Sequence, residues 1–89
     1  MRRMRTQIAH TVQTALAEQI GLTVDELIAR TDDSLDRLGL DSHGLMRVLL
    51  EIEKALDLQV PLELSDEALS TPTTLIAGVV EVVGGAAPR

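Results

Sequence analysis

Apolar residues recur along this chain in blocks separated by polar and glycine-containing breaks. Between Met4 and Gln19, Ile8, Val12, Ala15 and Leu16 fall at helical spacing while Gln7, Gln13 and Glu18 fall elsewhere. That period predicts an amphipathic first helix, with Gly21 as its stop. The clearest block spans Ser42 to Leu56. There Leu45, Val48, Leu49, Ile52 and Leu56 form one broad stripe of the kind a helix buries. Arg47, Glu51 and Lys54 lie on the opposite face. Met46 and Leu50 sit on the shoulder beside Glu53, as candidates for a partly exposed apolar patch. Asp41 is placed to cap this helix. Leu75, Ile76, Val79, Val80, Val82 and Val83 predict a last helix, with Thr71 as cap and Pro72 at its first position. Its β-branched run would also suit a strand, but the Thr-Pro start and the period favour helix. Gly84-Gly85 predicts its end and a flexible tail over 84–89.

The connection over residues 21–40 is long. Thr23 and Glu26 have capping-box spacing ahead of Leu27 and Ile28, which predicts a short turn of helix. Ser34-Leu35 and Leu38-Gly39-Leu40 add apolar anchors, so the connection reads as ordered and functional. Val60-Pro61 breaks the chain. Ser65-Asp66-Glu67-Ala68-Leu69 reads as a short capped helix with acids in its first turn. The pattern therefore predicts an all-α fold: a small four-helix bundle of three main helices and one short one, with a long loop between the first and second. Such stripes can be buried only against each other. Eighty-nine residues make a single domain over 1–89, with its core at about 4–83.

Composition narrows the chemistry. There is no cysteine, which excludes disulfides, thiolate zinc sites and iron–sulfur clusters. Phe, Trp and Tyr are absent, which removes the stacking platforms of single-strand nucleic-acid binding. The net charge is −6, split between +3 over residues 1–5 and −9 over the remainder. An acidic body repels phosphate backbones and favours protein partners over nucleic acid. Polar residues from Thr6 to Thr14 interrupt any secretory apolar core, and no window reaches the ~18 apolar residues of a membrane span. The Arg-rich, acid-free first seventeen residues resemble a transit peptide in composition, but they serve equally as a first helix. The expectation is a cytoplasmic, acidic monomer without a membrane segment.

Leu38-Gly39-Leu40-Asp41-Ser42 concentrates the chemical signal. It sets a hydroxyl beside free backbone N–H groups at the positive end of the best helix, a location that suits a phosphate. The same two polar residues would also serve simply as a helix cap. His43 follows Ser42, but adjacent helix residues point ~100° apart, and no nucleophile elbow accompanies the pair. Asp32, Asp33 and Asp36 lack the spacing and final Glu of a calcium loop, and read as a solvated acidic stretch.

Leu38-Gly39-Leu40-Asp41-Ser42, followed by Leu45-Met46 and Leu49-Leu50-Glu51-Ile52-Glu53, resembles the phosphopantetheine attachment region of acyl carrier proteins. Asp32-Asp33-Ser34-Leu35 is similar to the family's stretch leading into the motif, and Thr71 to Val83 to its last helix. The resemblance implies a non-catalytic carrier. A phosphopantetheinyl transferase would place 4′-phosphopantetheine from coenzyme A on Ser42, with Asp41 assisting transferase recognition and metal positioning. Biosynthetic intermediates would then ride as thioesters, in polyketide, fatty-acid-like or other secondary-metabolite biosynthesis. Implied partners are the transferase, an acyl-loading enzyme, and synthases or tailoring enzymes, with no bound metal. The implied docking surface comprises His43, Met46, Arg47, Leu50, Glu53 and Lys54. Two departures stand out: His43 replaces a frequent Leu, and Arg47 and Lys54 occupy positions often acidic in fatty-acid carriers. The alternatives are a stand-alone peptidyl or aminoacyl carrier, although the Gly-Gly-x-Ser pattern of peptidyl carriers is missing, and an unmodified helical interaction module.

Overall fold

The computed structural model describes residues 2–58 and 61–86. Its four helices are α1 (Arg2–Ile20), α2 (Val24–Ala29), α3 (Ser42–Ala55) and α4 (Pro72–Ala86), and no strand occurs among the described residues. The all-α class, the four helices and the three main helices agree with the reading of the sequence, while the short helix stands at Val24–Ala29, ahead of the loop, rather than between the second and last main helices. α1 is the axis of the bundle. α2, α3 and α4 each pack on it, whereas the α3 and α4 backbones stay apart.

α1 buries Ile8, Val12 and Leu16, one residue per turn along its inner face. It ends where Gly21 turns to φ +89°, and both Gly21 and Leu22 donate their N–H to Ala17 O. A Cβ at Gly21 would meet no atom within 4 Å, so glycine is needed there for its backbone conformation alone. The capping box forms as the spacing predicts. Glu26 N–H donates to Thr23 Oγ1 at 3.1 Å, and Thr23 N–H donates to Glu26 Oε1 at 2.8 Å. The Thr23 backbone N–H holds the Glu26 carboxyl below its ordinary range, with help from the Thr23 side chain. α2 spans six residues and buries Leu27.

The chain from Arg30 to Asp41 is irregular but anchored. Leu35, Leu38 and Leu40 are all buried. Leu35 N–H donates to Ser70 O at 2.8 Å, and Thr73 N–H donates to Thr31 O at 3.2 Å. The loop is thereby tied to the segment that leads into α4. α3 buries Val48 and Ile52 and ends at Leu56. Asp57 follows at φ 52°, which lets Leu58 N–H reach back to Glu53 O at 3.0 Å.

Two expectations are corrected. Ser65–Leu69 is a single turn rather than a helix. Leu69 N–H reaches Ser65 O and Asp66 O at 3.2 Å each, and Ala68 N–H caps on Ser65 Oγ. Ala68 O is instead taken by the Thr74 hydroxyl. Pro72 also disfavours helical geometry at Thr71, so there is no room for the further turns that would offset helix nucleation. The second correction is at the end of α4, which passes through Gly84-Gly85 to Ala86. A helical Gly costs only about 1 kcal/mol relative to Ala and does not by itself stop a helix. Val60 of the expected chain break and residues 87–89 of the expected tail lie outside the described residues.

α4 starts as expected, with a twist in the capping chemistry. Thr74 N–H donates to Thr71 Oγ1 at 3.1 Å while Thr71 N–H donates to Thr74 Oγ1 at 2.9 Å. Thr74 thus takes the role that Glu takes in the box at α2. Gly78, one turn on, allows the 64–68 segment to lie directly against the helix. A Cβ there would fall 2.9 Å from Ala68 Cβ and 3.3 Å from Leu64 Cδ2.

Gly78→Ala should therefore lower stability. Overpacking costs about 1–3 kcal/mol, against a helix-propensity gain of about 1 kcal/mol. In urea unfolding, Gly78→Ala with Ala68→Gly should recover part of the loss. Losses that merely add would show that this close approach is not their cause.

Candidate functional site

The end of the long loop positions the first turn of α3. Leu35 and Leu40 are buried, and Leu40 N–H donates to Leu35 O at 2.9 Å. Gly39 between the anchors takes φ +93°. Asp41 then leaves in an extended conformation, and its Oδ1 accepts Gly44 N–H at 2.7 Å. Gly44 is buried beneath this cap. A Cβ there would lie 3.0 Å from Leu40 Cδ1 and 3.2 Å from Asp41 Oδ1, so glycine keeps the space in which the cap forms.

Ser42 is the first residue of α3 and is exposed. The chain has four serines, and three of their hydroxyls are engaged. Ser34 Oγ accepts Arg37 N–H, Ser65 Oγ accepts Ala68 N–H, and Ser70 Oγ donates to Asp66 O. Among the described residues, Ser42 Oγ has no hydrogen-bond partner. The N–H groups of Ser42 and His43 also lack an acceptor there, as first-turn donors do when the cap serves only a later one. His43 is exposed and makes no hydrogen bond to Ser42.

Beside Ser42 runs an open groove of about 380 Å³ between the loop and the 69–70 segment. Leu35, Leu40, Leu45 and Leu69 line it, with Ser34 and Ser42 also on its walls. Sequence reasoning missed Leu69 and Ser70 as parts of this wall, because only the tertiary bond from Leu35 N–H to Ser70 O brings them there.

The expected docking residues divide. His43, Met46, Arg47, Leu50 and Lys54 are exposed along α3, with Met46 at 65% and Leu50 at 56% of full exposure. Glu53 is half-buried, and its Oε2 accepts Leu62 N–H at 3.1 Å. That bond ties the carboxylate to the chain after α3. Two of the three loop acids are engaged, each with its own partner: Asp33 pairs with Arg30 at 2.9 Å, and Asp32 Oδ1 accepts the Thr73 hydroxyl. No cluster of His, Cys, Asp or Glu fit to hold a metal occurs among the described residues.

An exposed, unengaged hydroxyl beside free N–H donors suits a phosphate ester, and the leucine-walled groove next to it suits a slender, partly apolar arm. The residues present thus fit a phosphopantetheine group. A family model of the phosphopantetheine attachment site matches residues 10–79. The chain belongs to this family, the carrier proteins of the acyl carrier type. It is a phosphopantetheine-carrying protein, and the prosthetic group is covalently attached. Carrier domains of this kind are generally non-catalytic and interact with phosphopantetheinyl transferases and synthases. No solved structure matches the chain. No helix among the described residues is long and apolar enough to cross a membrane.

The cap itself is testable. Asp41→Ala should lower stability by about 0.5–2 kcal/mol, and Asp41→Asn, which keeps an acceptor oxygen, should retain most of it. Denaturant unfolding of both variants reads the difference.

Proposed function

We propose that Ser42 bears the 4′-phosphopantetheine and that the chain carries biosynthetic intermediates of polyketide, fatty-acid-like or other secondary-metabolite type. The observation that carries the reading is the Ser42 hydroxyl, exposed at the first position of α3 and unengaged while the other three serine hydroxyls are bonded. In loading, Ser42 gives up its proton and its oxygen becomes the bridge of a phosphodiester. The pyrophosphate bond of coenzyme A breaks, and adenosine 3′,5′-bisphosphate leaves. The free N–H groups of Ser42 and His43, at the positive end of the helix, would hold the negative charge of that phosphodiester. When bound, the group supplies a terminal thiol for thioester cargo, which a chain without cysteine does not itself offer.

Asp41 serves transferase recognition. Its cap bond uses Oδ1, and Oδ2 accepts no hydrogen bond among the described residues. The exposed face of α3, with His43, Met46, Arg47, Leu50 and Lys54, docks the transferase, the loading enzyme, and synthases or tailoring enzymes. Glu53 contributes from the edge of that face, where Leu62 holds it. The protein works as a cytoplasmic monomer and leaves bond chemistry to those enzymes.

Intact mass after incubation with coenzyme A and a broad-specificity transferase tests the assignment. The native chain should gain one phosphopantetheine and Ser42→Ala none, with the variant still folded. No gain by the native chain, with the transferase active on a control carrier, would favour an unmodified interaction module.

A further inference from the structure

The exposed face of α3 combines two features that a solvated helix surface does not need. Met46 and Leu50, one turn apart, form an apolar ridge at 65% and 56% exposure. Next to Leu50 lies an open groove of about 350 Å³ formed by Gln19, Arg47, Leu50, Glu51 and Lys54. Arg47 and Lys54 are exposed, and neither forms an ion pair, since the one ion pair among the described residues is Arg30–Asp33. On the other side of the ridge, Glu53 is held by Leu62 N–H. Arg47 and Lys54 therefore flank the ridge on the side that faces the end of α1, with the exposed Glu51 between them in the same groove, and Glu53 stands on the other side. This stripe of Arg47, Glu51 and Lys54 carries a net charge of +1 on a chain of net charge −6.

We infer that this face selects partner proteins whose docking surface pairs an apolar patch with carboxylates aimed at Arg47 and Lys54. The inference rests on the carrier reading and names the chemistry of its partners. The ridge supplies desolvated contact area, and the stripe supplies orientation and rate, as charge complementarity at interfaces does. A partner with a basic rim would meet Arg47 and Lys54 as like charges. A second copy of this chain is the competing occupant.

The test uses the full chain, isotopically labelled and phosphopantetheine-loaded, titrated with two helical peptides of identical leucine ridge. One peptide is flanked by Glu and the other by Lys. The Glu-flanked peptide should shift the amides of Arg47, Leu50 and Lys54 and bind about tenfold more tightly, as two exposed charge pairs of opposite sense allow. The preference should fade at about 1 M salt, where charges are screened beyond ~3 Å. Arg47→Glu with Lys54→Glu should reverse it, and Arg2→Gln with Arg3→Gln and Arg5→Gln should leave it unchanged. Equal binding of both peptides, shifts centred on Arg5, or dilution-dependent shifts of the protein alone would overturn the inference. Loading is scored separately by mass. A failure at Ser42 counts against the carrier assignment, and a failed charge preference counts against the docking one.

Discussion

Leu35 N–H donates to Ser70 O at 2.8 Å and Thr73 N–H to Thr31 O at 3.2 Å. Outside the helices, every other backbone hydrogen bond among the described residues joins positions at most one helical turn or so apart. These two alone cross between distant segments. They tie the α2–α3 loop to the start of α4, and the Thr73 hydroxyl adds contacts to Thr31 and to Asp32 Oδ1. Leu35 is buried, and a buried N–H without a partner costs about 1–3 kcal/mol. The bond to Ser70 therefore selects one loop path over others. That path fixes Leu40, Leu40 fixes the exit of Asp41, and Asp41 fixes the first turn on which Ser42 stands.

The same constraint shapes the groove. The loop, the first turn of α3 and the 69–70 segment wall the open groove beside Ser42, and the bond from Leu35 N–H to Ser70 O holds two of those walls together. Two glycines allow close approaches of neighbouring segments. Gly44 leaves room for the Asp41 cap beside Leu40, and Gly78 lets Ala68 and Leu64 lie against α4.

Much of this was legible in the sequence wherever a local rule governs. The stripe from Leu45 to Leu56 placed α3, Asp41 announced its cap, Thr23 and Glu26 announced α2, and Gly21 marked the end of α1. Legibility failed where tertiary contacts decide. Ser65–Leu69 carries helix-start residues, yet Thr74 takes the Ala68 carbonyl and the segment stays one turn. Gly84-Gly85 looked like a stop, but α4 runs on to Ala86 because glycine only weakens a helix. Glu53 read as a surface acid, yet the chain returns to donate Leu62 N–H to it. For the site, spacing alone left Ser42 open between cap and attachment point. In the structure Asp41 does the capping, and the Ser42 hydroxyl is left unengaged among the described residues.

Amide hydrogen exchange at Leu35 tests most directly whether the loop is held as described. The account predicts that Leu35 N–H exchanges as slowly as the buried helix amides of Val48 and Ile52, opening only with most of the domain. Exchange as fast as in the exposed loop positions beside it would contradict the account, because the path that presents Ser42 would then be one of several.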